Sequence, residues 1–135
     1  MKGIADTGFI VAYANRRDRY FPWAYSLAEK LSAPLLTCEA VVAEAAYLLQ
    51  DSALILKFLK TELIKLDFEM PAHHEELTKL AIKYADRSPD LADLCLIRMS
   101  ELNPKLPVFT VDDDFTIYRR NGKEAIPVLM PPKII

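Results

Sequence analysis

The sequence predicts an α/β fold in three layers, α/β/α, with a short parallel central sheet between two sets of helices. Short apolar, β-rich segments alternate with longer stretches of helical periodicity. Several of the breaks between them carry helix-start chemistry. The chain's 135 residues, 52% of them hydrophobic, suit a single domain over 1–135 with one core and no need of disulfide staples.

Gly3-Ile4-Ala5-Asp6 reads as a short buried first strand, with Thr7 as N-cap for the apolar helical run Phe9–Ala14. The chain changes direction through Asn15–Asp18. Pro22, at a first helical position, opens a helix to about Leu31. Pro34-Leu35-Leu36 offers a second strand, and Thr37 caps a helix from Cys38 to about Gln50. Asp51 and Ser52 restart a helix through Lys60, and Ile64–Phe68 alternates like a half-buried strand. Pro71 begins a long helix ending near Asp86. Ser88-Pro89-Asp90-Leu91 combines an N-cap serine, a proline and an acid in the first turn, so a helix continues from there to about Leu102. Pro107–Val111 is a β-rich run, Asp112–Arg120 a short helix, and Ile126–Leu129 a last strand.

Composition excludes several classes. A net charge of −2 argues against coating nucleic acid by bulk electrostatics, though not against a local basic groove. Charges interrupt every apolar run well short of the ~18 to 20 residues that a bilayer span needs. The N-terminus reaches Asp6 after one lysine and a very short apolar stretch, unlike a secretory signal, so a cytoplasmic protein is expected. Cys38 and Cys95 sit in apolar surroundings without zinc-ligand spacing and read as buried thiols of a reducing compartment. Adjacent His73 and His74 point about 100° apart on a helix and are expected at the surface. The three glycines form no phosphate-cradling loop.

The informative residues are acids placed where the pattern asks for apolar groups. Glu44 shares a helical stripe with Val41, Ala45 and Leu48; Asp93 has Leu96 and Ile97 at i+3 and i+4 and Asp90 at i−3. Asp6 and Asp112 each end a predicted strand, where open α/β sheets place their ligand crevice. Four separated segments thus aim acids at one sheet edge. Two carboxylates about 5 Å apart repel by roughly 3 kcal/mol at an effective dielectric of 20. A hard divalent cation, Mg²⁺ or Mn²⁺, would offset that repulsion and leave positions for water and phosphate.

These residues resemble the PIN-domain nuclease family, and most closely its toxin-like VapC branch, over nearly the whole chain. Ile4-Ala5-Asp6-Thr7-Gly8-Phe9-Ile10-Val11-Ala12 with Arg16-Arg17-Asp18 resembles the opening strand, first acid and basic turn. TCEAVVAEAAYLL over Thr37–Leu49 resembles the second motif, with its acid on Glu44. YADRSPDLADLCLI over Tyr84–Ile97 resembles the third, with Asp93 on the ligand position. VFTVDDDFTIY over Val108–Tyr118 resembles the fourth, with Asp112 as its acid, Thr110 as the accompanying hydroxyl and Asp114 as a further ligand. Leu94-Cys95 departs from the small residues usual after the third acid, which touches packing rather than ligation.

The resemblance implies a metal-dependent endoribonuclease, the toxin of a toxin–antitoxin pair, with Asp6, Glu44, Asp93 and Asp112 catalytic and Asp114 joining them around Mg²⁺ or Mn²⁺. Thr7, Thr110 and Asp90 would orient carboxylates or water. Arg16, Arg17 and Arg19, with Arg119, Arg120 and Lys123, are candidates for the RNA backbone. Tyr20, Phe21 and Trp23 can stack on bases, although their spacing beside Leu27 equally suits core or interface packing. A small antitoxin and a homodimer are expected as partners. A PIN-like module that binds RNA or protein without cutting is the alternative. A response-regulator receiver would need an early acidic pair and a use for neither Glu44 nor Asp93, which this sequence does not match.

Overall fold

In the computed structural model, which describes residues 1–133, β1 (Ile4–Ala5) leads straight into α1 (Thr7–Ala14), and α2 (Phe21–Glu29) returns the chain to β2 (Leu35–Thr37). The domain range expected from the sequence ends at 135, outside the described residues. Two helices, α3 (Glu39–Leu49) and α4 (Ser52–Lys60), connect β2 to β3 (Ile64–Leu66). Next, α5 (His74–Lys83) and α6 (Leu91–Leu102) lead to β4 (Val108–Phe109). A hairpin of β5 (Arg119–Arg120) and β6 (Glu124–Ala125) precedes β7 (Val128–Leu129).

The main sheet has the order β3-β2-β1-β4-β7, and every pairing in it is parallel. Ile4 pairs with Leu36 on one side and Val108 on the other, so β1 is the centre. From β1 the chain first steps outward through β2 to β3, then jumps back across β1 to β4. With right-handed crossovers that reversal places α1 to α4 on one face of the sheet and α5 and α6 on the other. The three layers expected from the sequence are present. Ile4, Ala5, Val108 and Phe109 are all fully buried, as a sheet covered on both faces requires. Phe9 of α1 packs edge-on against Phe109 with ring centroids 5.4 Å apart.

Element boundaries differ from expectation for identifiable reasons. The α1 cap is Asp6, not Thr7: its side chain accepts from the Thr7 backbone N–H. Thr37 belongs to β2 and caps nothing; its buried hydroxyl donates to the Ala5 carbonyl across the sheet at 3.0 Å, and Cys38 takes the cap position of α3. Ser88 stands at a left-handed φ of 48° and ends a 3₁₀ turn, so α6 begins at Leu91 with Asp90 as cap. The long helix from Pro71 is divided into a 3₁₀ turn over Met70–His73, α5, and a second 3₁₀ turn over Ala85–Arg87. The helix expected over Asp112–Arg120 is a 3₁₀ turn, Asp113–Thr116, followed by the first strand of the hairpin. Asn121 and Gly122 carry the positive φ values, 49° and 88°, that this tight reversal demands. Cys38 and Cys95 are both buried free thiols. Among the described residues no helix is long and apolar enough to cross a membrane.

Gly8 admits the close approach of α1 to the segment after β4: a Cβ there would overlap Val111 Cγ2. Gly8→Ala is therefore expected to lower stability by about 1–3 kcal/mol in urea unfolding. The double variant Gly8→Ala, Val111→Ala should lose clearly less than the sum of the two single variants, and strict additivity would show that this contact is not the constraint.

Candidate active site

The reversal of strand order about β1 opens a crevice between the carboxyl ends of β1 and β4, and both strands deliver an acid into it. Asp6 follows β1 and is 6% exposed. Its Oδ1 accepts from the Thr7 amide at 2.7 Å, and its Oδ2 accepts from the Thr110 hydroxyl at 2.7 Å. Thr110, fully buried just after β4, in turn accepts from the Asp112 amide at 2.9 Å. Asp112 caps the following 3₁₀ turn by accepting from the Asp114 amide at 2.9 Å. One threonine thus ties the first acid to the loop that carries the fourth.

The helices bring the other acids. In α3, Val41 and Ala45 are buried while Glu44 is half-buried and Leu48 is 57% exposed, so the stripe expected to pack inward splits between core and crevice. In α6, Leu96 and Ile97 are fully buried, and Asp93 stands at the crevice one turn earlier. Asp90 accepts from the Asp93 amide at 2.8 Å and so fixes the start of α6. Tyr118, buried edge-on against Tyr84 and Phe115, donates to Asp93 Oδ2 at 3.1 Å. Asp6, Thr7, Glu44, Asp90, Asp93 and Asp112 line one cavity of about 390 Å³. Asp93, Asp112 and Asp114 can each offer an oxygen within 4.8 Å of the others.

Charges crowded this closely resist ionisation. Burial, the negative charges of Asp90 and Asp6, and that of Asp112 push the Asp93 carboxyl up to about 7, against the pull of the Tyr118 hydrogen bond. Burial likewise raises Asp6 to about 6, opposed by its Thr110 and Thr7 bonds and assisted by Asp112 and Glu44. Glu44 is raised by burial and by Asp90. The Thr7 hydroxyl lies near enough to favour the charge on Glu44, yet it is buried without a well-formed hydrogen bond. An orphaned buried hydroxyl, an all-oxygen donor set and several carboxylates that repel one another together fit a hard divalent cation.

The structure therefore gathers Asp6, Thr7, Glu44, Asp90, Asp93 and Asp112 around one space, with Asp114 beside Asp93 and Asp112 and Thr110 behind Asp6. The basic candidates scatter. Arg16 and Arg17 are exposed outside the cavity, and Arg19 is the basic residue that lines it. Arg119 Nη1 donates to the carbonyls of Thr116, Ile117 and Tyr118 and stiffens that turn. Arg120 corrects the expectation of a substrate contact: it is 4% exposed, and its guanidinium donates to the Ser100 carbonyl and hydroxyl, the Pro104 carbonyl and Glu124. Lys123 is exposed in the hairpin turn. His73 is not a free surface group: it stacks on Phe68 and accepts from Arg98 Nε at 3.1 Å.

Two contributors escape the sequence reading. Tyr118 closes the fourth motif as an apparent packing residue, and nothing local marks its hydroxyl as a partner of Asp93. Arg87, beside the helix start, has its Nη1 3.7 Å from Asp114 Oδ1.

The family profile of the PIN domain matches residues 4–121. No curated protein sequence matches the chain significantly. Among solved structures, the chain is similar to VapC20 of Mycobacterium tuberculosis, described as a Sarcin-Ricin loop cleaving toxin, with a TM-score of 0.75 at 15% identity over 87% of this chain and 94% of that one.

Asp6 and Asp93 hold a proton more tightly folded than unfolded, where a carboxyl titrates near 3.8. In the presence of a chelator, stability should fall as pH rises from about 4 to about 7 and then level off. Asp93→Asn removes one such charge and should melt several degrees above the wild type at pH 8, a gap that closes near pH 4. A variant that melts lower at pH 8 would mean that the ionised carboxylate stabilises the fold.

Proposed function

This chain belongs to the PIN domain family, and from that premise we propose that it is a metal-dependent endoribonuclease, the toxin of a toxin–antitoxin pair. The observation that carries the reading is the convergence of acids from four separated segments on one cavity at the carboxyl edge of the sheet. The fold shared with a toxin that cleaves the Sarcin-Ricin loop agrees with it.

Asp93, Asp112 and Asp114, with Asp6 and Glu44 on the same space, would hold Mg²⁺ or Mn²⁺. A bound ion of this kind supplies a water of lowered pKa and stabilises charge on the reacting phosphate. The residues of the chain prepare that chemistry. Thr110 and the Thr7 amide fix both oxygens of Asp6, and Tyr118 fixes one oxygen of Asp93, which leaves the remaining lone pairs directed by the fold rather than by solvent. The buried Thr7 hydroxyl lies beside Glu44 and favours its ionised form. In the reaction, a water oxygen bonds to phosphorus and the bond to the 3′-oxygen breaks. A proton ends on that oxygen, giving 5′-phosphate and 3′-hydroxyl ends.

A folded toxin must be silenced in its own cell. The partner that fits is a small antitoxin whose cationic side chain occupies the space among the carboxylates, and a homodimer agrees with the VapC-like reading. Free buried thiols accord with residence in a reducing cytoplasm.

Calorimetric titration of Mn²⁺ tests the centre. Asp93→Asn should bind at least about tenfold more weakly than the wild type, a loss of roughly 1.4 kcal/mol or more. Equal binding in both, or none in either folded protein, would sink the metal site. Tyr118→Phe keeps all the acids and should still cost about tenfold in Mn²⁺ affinity, because Asp93 loses the group that orients it. Incubation of total RNA with the wild type and Mn²⁺ should yield discrete 5′-phosphorylated fragments that Asp93→Asn does not produce.

A further inference from the structure

Beside the acidic cavity lies a second groove, of about 450 Å³, and the two share Arg19 and Tyr20 as a common wall. The second groove is aromatic and basic where the first is acidic: Trp23, Pro22, Leu27 and Lys30 line it together with Pro131. Trp23 is only half-buried. Its indole meets Phe9 edge-on at 5.7 Å and 82°, a contact that uses part of the ring and leaves the rest to the groove. Arg19 lies over the Tyr20 ring at 5.0 Å, and the Asp18 carboxylate accepts from the Tyr20 amide at 2.8 Å, so this wall is held in place before any ligand arrives.

Resting on the ribonuclease reading above, we propose that this groove binds an unpaired base of the RNA strand next to the scissile phosphate. Stacking on Trp23 holds the base, and Arg19 and Lys30 neutralise its flanking phosphates. Three observations select that occupant. The groove adjoins the acidic cavity across Arg19 and Tyr20, so a strand with its reacting phosphate over the carboxylates passes over these two residues to reach it. The charges described in the groove, Arg19 and Lys30, are both cationic, which suits a polyanion. An exposed aromatic face can engage a base only where the base is unstacked and unpaired, so the groove selects single-stranded loops over duplex. The core-packing role that the spacing of Trp23 suggests is real, and the half-buried ring also lines the groove.

Trp23 is the one tryptophan of the chain, so its emission reports on this groove alone. The full chain carrying Asp93→Asn, which prevents cleavage, is titrated with a short fluorescein-labelled single-stranded oligoribonucleotide of random sequence and with a duplex of equal length. Anisotropy gives binding, and tryptophan emission gives location. Emission should be quenched with the same midpoint as the anisotropy change for the single strand, and the duplex should bind more weakly. Adding Trp23→Leu, which keeps an apolar contact with Phe9, should weaken single-strand binding about fivefold or more. Arg19→Gln, at an exposed position, should weaken binding and reduce its salt dependence while the melting temperature stays close to that of the parent. Single-strand binding without any change in emission, and undiminished in both variants, overturns the groove while leaving the ribonuclease reading intact. Emission that responds to a partner protein and never to RNA also overturns it. Absence of RNA binding, together with absence of cleavage by the wild type with Mn²⁺, removes both.

Discussion

Neutral hydrogen-bond donors, rather than counter-charges, hold Asp6, Asp93 and Asp112 in the crevice, while Asp114 beside them faces Arg87. Asp6 is gripped by an amide and a hydroxyl, Asp112 and Asp114 are stepped around a 3₁₀ turn by backbone N–H groups, and Asp93 leans on a phenol. Thr110 is the pivot of this arrangement, since it donates to the acid after β1 and accepts from the amide of the acid after β4. Had lysines or arginines neutralised these groups, the crevice would be stable and inert. Raised carboxyl pKa values are the thermodynamic trace of the choice made instead. The same crowding that weakens the fold would supply binding energy for a cation.

The layer order and most helices were legible because they depend on periodicity and on single-residue signals such as Pro22 and the Asp51 cap. So were the acids, since a carboxylate on an otherwise apolar stripe is visible without coordinates. Caps failed where two oxygen-bearing residues competed. Asp6 and Thr7 both suit an N-cap, and only the buried Thr110 decides between them by holding Asp6 from the far side. Thr37 likewise has a partner, the Ala5 carbonyl, that is 32 residues away in sequence.

Arginines were the least legible residues. Arg119, Arg120 and Lys123 form a basic cluster in the sequence, yet the hairpin turns Arg120 inward to satisfy the end of α6 and leaves Lys123 in the turn. The reversal of that hairpin rests on Asn121 and Gly122, which take up the positive φ values it requires. Tyr118 marks the same limit from the other side. Its ring packs like any core aromatic, and only the fold shows where its hydroxyl ends.

The order of strands has a consequence for when activity can begin. β1 emerges early in synthesis, but one of its two neighbours is β4, which closes the sheet only after residue 109 has been made. Asp6 has no Thr110 and the cavity has no Asp112 until that late strand docks. A nascent chain therefore carries its first acid on an unfinished sheet until β4 has been made and has docked. A site built this way is incomplete until β4 docks, and the topology itself sets that order of assembly.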